Sequence, residues 1–296
     1  MKNSGYEYRE QIDIRGSGVT VLAHLTRKYR HSSETVWRDR IQRGEIFLDG
    51  RQIQWDTVLK SGRSLLWRRP SWDEPDVPLT YSILYEDDDL LAVAKPSGLP
   101  TLPGGGFLDH TLLTLVRKSR PEASPIHRLG RGTSGVVLFA RTARARSILG
   151  AALRKNEITK IYRALATGVP AAQKFFIDTP IGLIPHSKLG TLHSACAGGK
   201  YALSRVSVLE QRGDTSLLEV GIETGRPHQI RIHLAFAGHP LVGDPLYAAG
   251  GTIRNQDALP GDCGYLLHAE RLYFCHPATK SDFEIRCSPP PELETK

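Results

Sequence analysis

Cysteines are few in this sequence, and no two of the four lie close together. Cys196, Cys263, Cys275 and Cys287 are separated by 67, 12 and 12 residues. This spacing excludes a zinc site built from close cysteine pairs and a dense disulfide framework. We therefore expect buried, reduced thiols in a cytoplasmic protein that has no metal site.

Long apolar runs are also absent. No stretch approaches the roughly 18 residues that span a bilayer, and residues 1–6 lack the apolar core of a secretory signal. Hydrophobic residues are nevertheless 40% of the 296, which is enough for a substantial core. We expect a soluble protein with no membrane partner, built from one large domain and one smaller domain.

Acidic residues are the minority among the charged side chains. The chain has 39 Lys and Arg against 31 Asp and Glu, a formal net charge of +8. Residues 19–70 contain 11 basic and 5 acidic side chains and so supply +6 of that charge. This distribution describes a basic module attached to a nearly neutral remainder, which favours nucleic acid as the partner.

The basic segment has the pattern of two short helices followed by a hairpin. Residues 21–30 predict a helix with one basic face, and Ser33 and Gly44 fit the start and the end of a second helix. Asp49-Gly50 predicts a turn after the short strand 46–48. The alternative is a solvated basic face on an ordinary helical hairpin. Prolines and acidic residues in 70–79 predict a linker.

The most distinctive stretch is residues 127–135, which read His-Arg-Leu-Gly-Arg-Gly-Thr-Ser-Gly. Three glycines directly before the apolar run 136–140 predict a tight loop that enters a buried strand. A loop held by a strand is a suitable place for a functional site. Taken alone, the same pattern also fits an ordinary glycine-rich turn.

Two further stretches carry candidate functional residues. Residues 160–165 alternate as a strand that places Tyr162 on one face. In residues 223–234, Thr224 and Pro227 predict the start of a helix, on which His228 and Arg231 share one face. His228 and His233 point in different directions, so they do not form a metal pair.

Together these motifs resemble the RluA-type pseudouridine synthases, which isomerise uridine in structured RNA such as rRNA or tRNA. The matching blocks are Lys-Pro-x-Gly at 95–98, the loop 127–135, Lys-x-Tyr-x-Ala at 160–164, Gly-Arg-x-His-Gln-Ile-Arg at 225–231, Gly-Asp at 243–244 and Leu-His-Ala at 267–269. The resemblance implies an α+β catalytic domain over 80–296, with a mixed, mostly antiparallel sheet and a central cleft. Residues 19–69 resemble the S4 RNA-binding domain, which implies a small α/β domain over 1–69.

The resemblance also implies roles for individual residues. Tyr162 is expected to stack on the target base, and Arg231 to pair with the catalytic aspartate of the family. Gly130 stands at the position of that aspartate, so the partner of Arg231 is expected to be missing. The implied RNA-binding residues are Arg27, Lys28, Arg30, Arg38, Arg43, His127, Arg128 and Arg131. A monomer with no metal and no small-molecule cofactor is expected.

Gly130 leaves three interpretations open. The first is an active synthase that uses a carboxylate from elsewhere in the chain. The second is a catalytically inactive RNA-binding relative, and the third is an RNA-binding protein with a different activity, such as a base hydrolase or nuclease. No His-Cys-Cys, paired-carboxylate or Walker motif supports the third. The carboxylates considered for the first are Asp109, Asp178, Glu223 and Asp244.

Overall fold

The computed structural model of the protein describes residues 2–187, 189–254 and 257–296. The chain divides into two compact units, Met1–Asp76 and Val77–Lys296. Asn3 donates from its amide side chain to Glu74 at 2.7 Å and from its backbone N–H to the carbonyl of Trp72 at 3.0 Å. These bonds make residues 70–76 part of the smaller unit, although their composition predicts a linker.

The smaller unit is a four-stranded antiparallel sheet with two helices. Its elements are β1 (Tyr6–Gln11), α1 (Val21–Lys28), α2 (Glu34–Gln42), β2 (Ile46–Leu48), β3 (Arg51–Gln52) and β4 (Ser64–Arg69), with strand order β1-β4-β2-β3. The hydroxyls of Thr20 and Ser33 cap the two helices. Gly44 follows α2 with a φ of +73°. Both predicted helices and the hairpin are confirmed, whereas β1 has no counterpart in the sequence predictions.

The larger unit is built on a ten-stranded sheet. Its helices are α3 (Leu112–Arg117), α4 (Ala143–Arg154) and α5 (Gln229–Phe236). Its strands are β5 (Ser82–Glu86), β6 (Leu90–Lys95), β7 (Ser124–Pro125), β8 (Ser134–Ala140), β9 (Thr159–Thr167), β10 (Lys174–Ile177), β11 (Ile181–His186), β12 (Gly190–Ala195), β13 (Ser204–Arg212), β14 (Thr215–Ile222), β15 (Leu267–Cys275) and β16 (Asp282–Arg286).

The order of the sheet is β10-β13-β14-β9-β15-β8-β6-β5, with β16 beside β15 and β7 beside β8. Strands β8 and β15 are parallel, and the other pairings among the described residues of this sheet are antiparallel. The predicted α+β fold with a mixed, mostly antiparallel sheet is confirmed. The hairpin β11-β12 forms a separate ribbon.

Strand β8 lies in the middle of this sheet and is buried from Gly135 to its end. Burial on both faces explains its continuous apolar sequence. At Gly135 φ is +110°, and an added Cβ would overlap the backbone of Ala269. Only glycine fits there, and this close approach holds the loop before β8 against the start of β15.

The acidic residues between β5 and β6 form a turn. The Asp87 carboxylate accepts from the backbone N–H groups of Asp89 and Leu90, at 2.9 and 2.7 Å. The tip of this hairpin is therefore a tight turn that its own carboxylate stabilises. Within the described ranges we find no group of three side chains placed to hold a metal, and no helix long and apolar enough to cross a membrane.

Candidate active site

A cavity of about 110 Å³ lies in the larger unit, where several sequence motifs meet. It is lined by the loop before β8, by β9, by the start of α5 and by the approach to β15. Arg128, Gly130, Tyr162, Arg231 and Tyr265 all contribute to its wall. The topology thus brings together the three residues to which the family resemblance assigns catalytic roles.

Residues 95–101 hold the loop before β8 in place. The buried ammonium group of Lys95 donates to the carbonyls of Leu99 and Arg131, at 2.7 and 3.2 Å. The hydroxyl of Thr101 donates to the carbonyl of Leu129 at 2.9 Å. Burial lowers the pKa of Lys95 to about 7. The loop conformation is therefore fixed by hydrogen bonds from a distant segment as well as by its glycines.

Among the loop residues predicted to bind RNA, His127 makes a hydrogen bond within the fold. Its Nε2 accepts a hydrogen bond from the backbone N–H of Leu138 at 3.2 Å, and burial lowers its pKa to about 4. Its Nε2 is therefore used within the fold, and an RNA contact through this residue stays a prediction. Arg131 donates to the carbonyl of Gly261 at 2.9 Å, while Arg128 is exposed at the mouth of the cavity.

Tyr162 lies on β9 with its ring in the wall of the cavity. The residue is 7% exposed, and burial raises its pKa, so its hydroxyl stays protonated at neutral pH. A rigid ring on a strand, facing a cavity, is a suitable platform for a base.

Arg231 has an acidic partner, contrary to the expectation from Gly130. Its Nε and Nη2 donate to the two carboxylate oxygens of Asp244, at 2.7 and 2.8 Å. The two side chains are 2% and 0% exposed. Burial alone would raise the pKa of Asp244, but the hydrogen bonds and charge of Arg231 hold it below its ordinary value. This bidentate geometry is the strong form of a charged pair.

Asp244 is nevertheless poorly placed to replace the missing aspartate. Its Oδ1 also accepts from the backbone N–H groups of Leu246 and Tyr247, at 2.9 and 3.0 Å. Its oxygens are thus occupied, and its side chain does not line the cavity. Glu223 pairs with Arg205 at the surface. No Asp or Glu lines the cavity in the described part of the chain, and this excludes Asp109 and Asp178 from its wall as well.

Tyr265 is the side chain that occupies the space opposite Gly130. Its hydroxyl oxygen lies 3.0 Å from the position of a Cβ added to Gly130, and 3.3 Å from the hydroxyl of Thr133. Its ring lies 4.2 Å from the guanidinium of Arg231. Sequence reasoning missed Tyr265, because one tyrosine before a strand carries no signal without its contacts.

Helix α5 begins later than predicted. The hydroxyl of Thr224 accepts from the N–H of Leu203 and donates to Gln229, so it does not cap the helix. The residue before the helix is instead His228, with a φ of +56°. Its Nδ1 lies 2.9 Å from the hydroxyl of Tyr247. Burial, together with the charge of Arg231, lowers the pKa of His228 to about 3.

Three of the predicted RNA-binding residues of the smaller unit form ion pairs with acidic side chains. Lys28 pairs with Glu10, Arg38 with Glu34 at 3.1 Å, and Arg43 with Asp39 at 2.9 Å. These carboxylates offset part of the positive charge of the unit. Two others, Arg27 and Arg30, are exposed.

A cluster of aromatic rings around Arg40 in the same unit was not predicted. The guanidinium of Arg40 lies 4.5 Å from the ring of Trp37 and 4.4 Å from that of Trp67. Tyr8 stacks on Trp67 at 5.0 Å and is itself 44% exposed. Arg40 donates to the hydroxyl of Ser32 at 3.0 Å, and no described carboxylate lies within ion-pair distance of it. The cluster was not predicted because strand β1, which carries Tyr8 to the ring of Trp67, was not predicted.

The fold of the larger unit is that of the pseudouridine synthase class. The solved structure of human RNA pseudouridylate synthase domain containing 1 is similar to this chain, with a TM-score of 0.58 and 28% identity. It covers 75% of this chain and 89% of its own. The sequence profile of the family described as RNA pseudouridylate synthase matches residues 89–236.

Curated relatives match over nearly the whole chain. An uncharacterised RNA pseudouridine synthase of Synechocystis sp. is 42% identical, over 93% of this chain and 96% of its own length. RNA pseudouridine synthase 5 of Arabidopsis thaliana is 39% identical, over 91% and 88%. Ribosomal large subunit pseudouridine synthase D of Neisseria meningitidis is 35% identical, over 92% and 75%. The chain belongs to the RNA pseudouridine synthase family, as its RluA-type motifs predicted.

Proposed function

We propose that the protein is an RNA pseudouridine synthase that isomerises uridine in structured RNA. The observation that carries this proposal is the cavity, in which Tyr162 and Arg231 face the loop before β8. Relatives that match most of the chain are named RNA pseudouridine synthases, and one is named for the large ribosomal subunit. Ribosomal RNA is therefore the first substrate to test, and transfer RNA the second.

The reaction explains why a pocket for one base is needed. The bond between C1′ of the ribose and N1 of uracil must break, the base must turn, and C1′ must join C5. A base inside an RNA helix cannot turn in this way, so the enzyme must extrude it into a pocket. Tyr162 offers the stacking surface, and the exposed Arg128 is placed for a phosphate at the mouth.

The inactive RNA-binding relative is the second candidate function. Gly130 has no side chain, and among the described residues that line the cavity none is acidic. A carboxylate close to the developing positive charge would supply several kcal/mol of barrier lowering. A protein that retains the cavity without such a group would bind a flipped uridine and leave it unchanged.

Tritium release separates these two candidates. The full chain is incubated with ribosomal and transfer RNA transcripts that carry tritium at C5 of uridine. We expect stoichiometric release at one or a few positions, because C5 loses its hydrogen when it joins the ribose. RNA binding without release from any transcript would favour the inactive candidate.

The smaller unit is assigned to RNA binding as part of the same proposal. Its net positive charge and the Arg40 cluster support contacts with both phosphates and bases. The S4-like assignment of this unit, a monomeric state, a cytoplasmic location and a reaction without a cofactor stay predictions.

A further inference from the structure

We propose that Tyr265 is a catalytic residue of the isomerisation, and that its hydroxyl supplies the acid-base group that Gly130 cannot provide. This inference rests on the proposed function, because it needs a wild-type protein that isomerises uridine. It assigns a role to a residue that lies outside the family motifs identified in the sequence.

The Tyr265 hydroxyl lies 3.0 Å from the point where a side chain on Gly130 would begin, in the wall of the cavity. A Cβ added to Gly132 would lie 2.9 Å from the Cζ atom of the same ring. Two glycines of the loop therefore make room for one tyrosine. The hydroxyl takes the space of a side chain at position 130, so the functional atom reaches the cavity from the segment before β15 instead of from the loop.

The surroundings of Tyr265 suit proton transfer. Burial raises its pKa, the charge of Arg231 offsets part of that rise, and the resting group is a neutral hydroxyl. The guanidinium of Arg231, 4.2 Å from the ring, would stabilise the phenolate formed when that proton leaves. Arg231 is held there by Asp244, which gives the ion pair a function in the site although Asp244 itself stays outside the cavity.

The proposed step conserves protons and electron pairs. When the bond between C1′ and N1 breaks, its electron pair leaves with N1, and the Tyr265 hydroxyl gives its proton to the base. The phenolate then lies beside the positively charged ribose carbon, where negative charge lowers the barrier. After the base has turned, the electron pair of its C5–C6 double bond forms the C1′–C5 bond. The phenolate takes the proton released from C5, and Tyr265 returns to its starting state.

The decisive variant is Tyr265→Phe, which removes the hydroxyl and keeps the ring beside Arg231. We expect single-turnover tritium release to slow by about 100-fold or more, the usual size of an acid-base contribution. Affinity for the RNA and the melting temperature should stay close to wild type. Tyr85→Phe is the matched control, since it removes a hydroxyl bonded to Asp87 outside the cavity. Equal release by wild type and Tyr265→Phe would overturn the inference and leave the proposed function standing.

Two further proteins test the chemistry itself. A fluorinated tyrosine at position 265, with a more acidic hydroxyl, should shift the pH dependence of release to lower pH; an unchanged profile would argue for a purely structural ring. The double variant Gly130→Asp with Tyr265→Phe returns a carboxylate to the loop and should recover release. If wild type releases nothing but this double variant does, both the proposed function and the role of Tyr265 are overturned. Release from neither protein also overturns both.

Discussion

The guanidinium of Arg231 and the carboxylate of Asp244 share two hydrogen bonds, of 2.7 and 2.8 Å, in a place almost closed to solvent. Both groups are charged, and each makes further hydrogen bonds to backbone groups. Arg231 also donates to the carbonyl of Pro260 at 3.0 Å. The pair therefore joins α5 to the segment before β15, and it holds the cation beside Tyr265.

Breaking this pair should destabilise the protein strongly. Asp244→Ala leaves a buried guanidinium without its acid, and the free energy of unfolding should fall by about 3–5 kcal/mol. Glu223→Ala breaks the exposed pair with Arg205 and should cost about 1 kcal/mol or less. Urea unfolding of the two variants checks the contrast, which equal losses would contradict.

Tyr162 should matter through its aromatic face. Tyr162→Leu keeps an apolar side chain but removes the ring, and affinity for an RNA that contains 5-fluorouridine should fall by about 1–3 kcal/mol. Tyr162→Phe keeps the ring and should bind within about twofold of wild type. Filter binding, with melting temperatures to verify folding, measures both. Equal affinity of the Leu and Phe variants would rule out stacking.

The Arg40 cluster should contribute to RNA binding in two separable ways. Arg40→Gln removes a charge that has no described acidic partner, and the slope of log affinity against log salt should become shallower by about 0.7–0.9. Tyr8→Ala removes an exposed ring and should weaken binding with no change of slope.

Arg43→Gln provides the comparison for Arg40, because Asp39 already offsets the charge of Arg43. Its salt slope should change less than that of Arg40→Gln. A larger change of slope for Arg43→Gln than for Arg40→Gln would place the RNA on the predicted basic helical face instead of beside the aromatic rings.

Lys95 should give the protein a pH-dependent stability. The pKa of this group is about 7 in the folded protein and returns to about 10.5 on unfolding, so the unfolded chain binds the extra proton between these values. Stability from this group must then rise with pH from about 7 to about 10.5, by up to about 1.4 kcal/mol per unit. The difference in unfolding free energy between wild type and Lys95→Met isolates it. The unfolding free energy of wild type minus that of Lys95→Met should increase with pH over this range, and a decrease would contradict the lowered pKa.

Local patterns predicted much of the fold. The cap at Ser33 acts within one turn of helix, and the continuous apolar sequence of β8 indicates a buried strand, so the sequence carries these signals directly. The start of α5 was misplaced because the hydroxyl of Thr224 bonds to Leu203 and Gln229, and tertiary contacts replaced the cap.

The site was predicted only in part. Motifs that resemble the family identified Tyr162 and Arg231, and both line the cavity. The four carboxylates considered as substitutes for the missing aspartate could not be ranked from sequence, and the structure pairs Asp244 with Arg231. Tyr265 acquires its position from a fold in which β15 lies beside β8, and no local pattern contains that information.

The parallel pairing of β8 with β15 also affects how the protein is made. Gly135 and Ala269 are paired residues, yet the ribosome adds the second long after the first. The loop before β8 and the wall made by Tyr265 can meet only when most of the chain has been synthesised. Contacts so distant in sequence form slowly, whereas the smaller unit is complete early and can fold first. A growing chain therefore displays its basic module well before its cavity has formed.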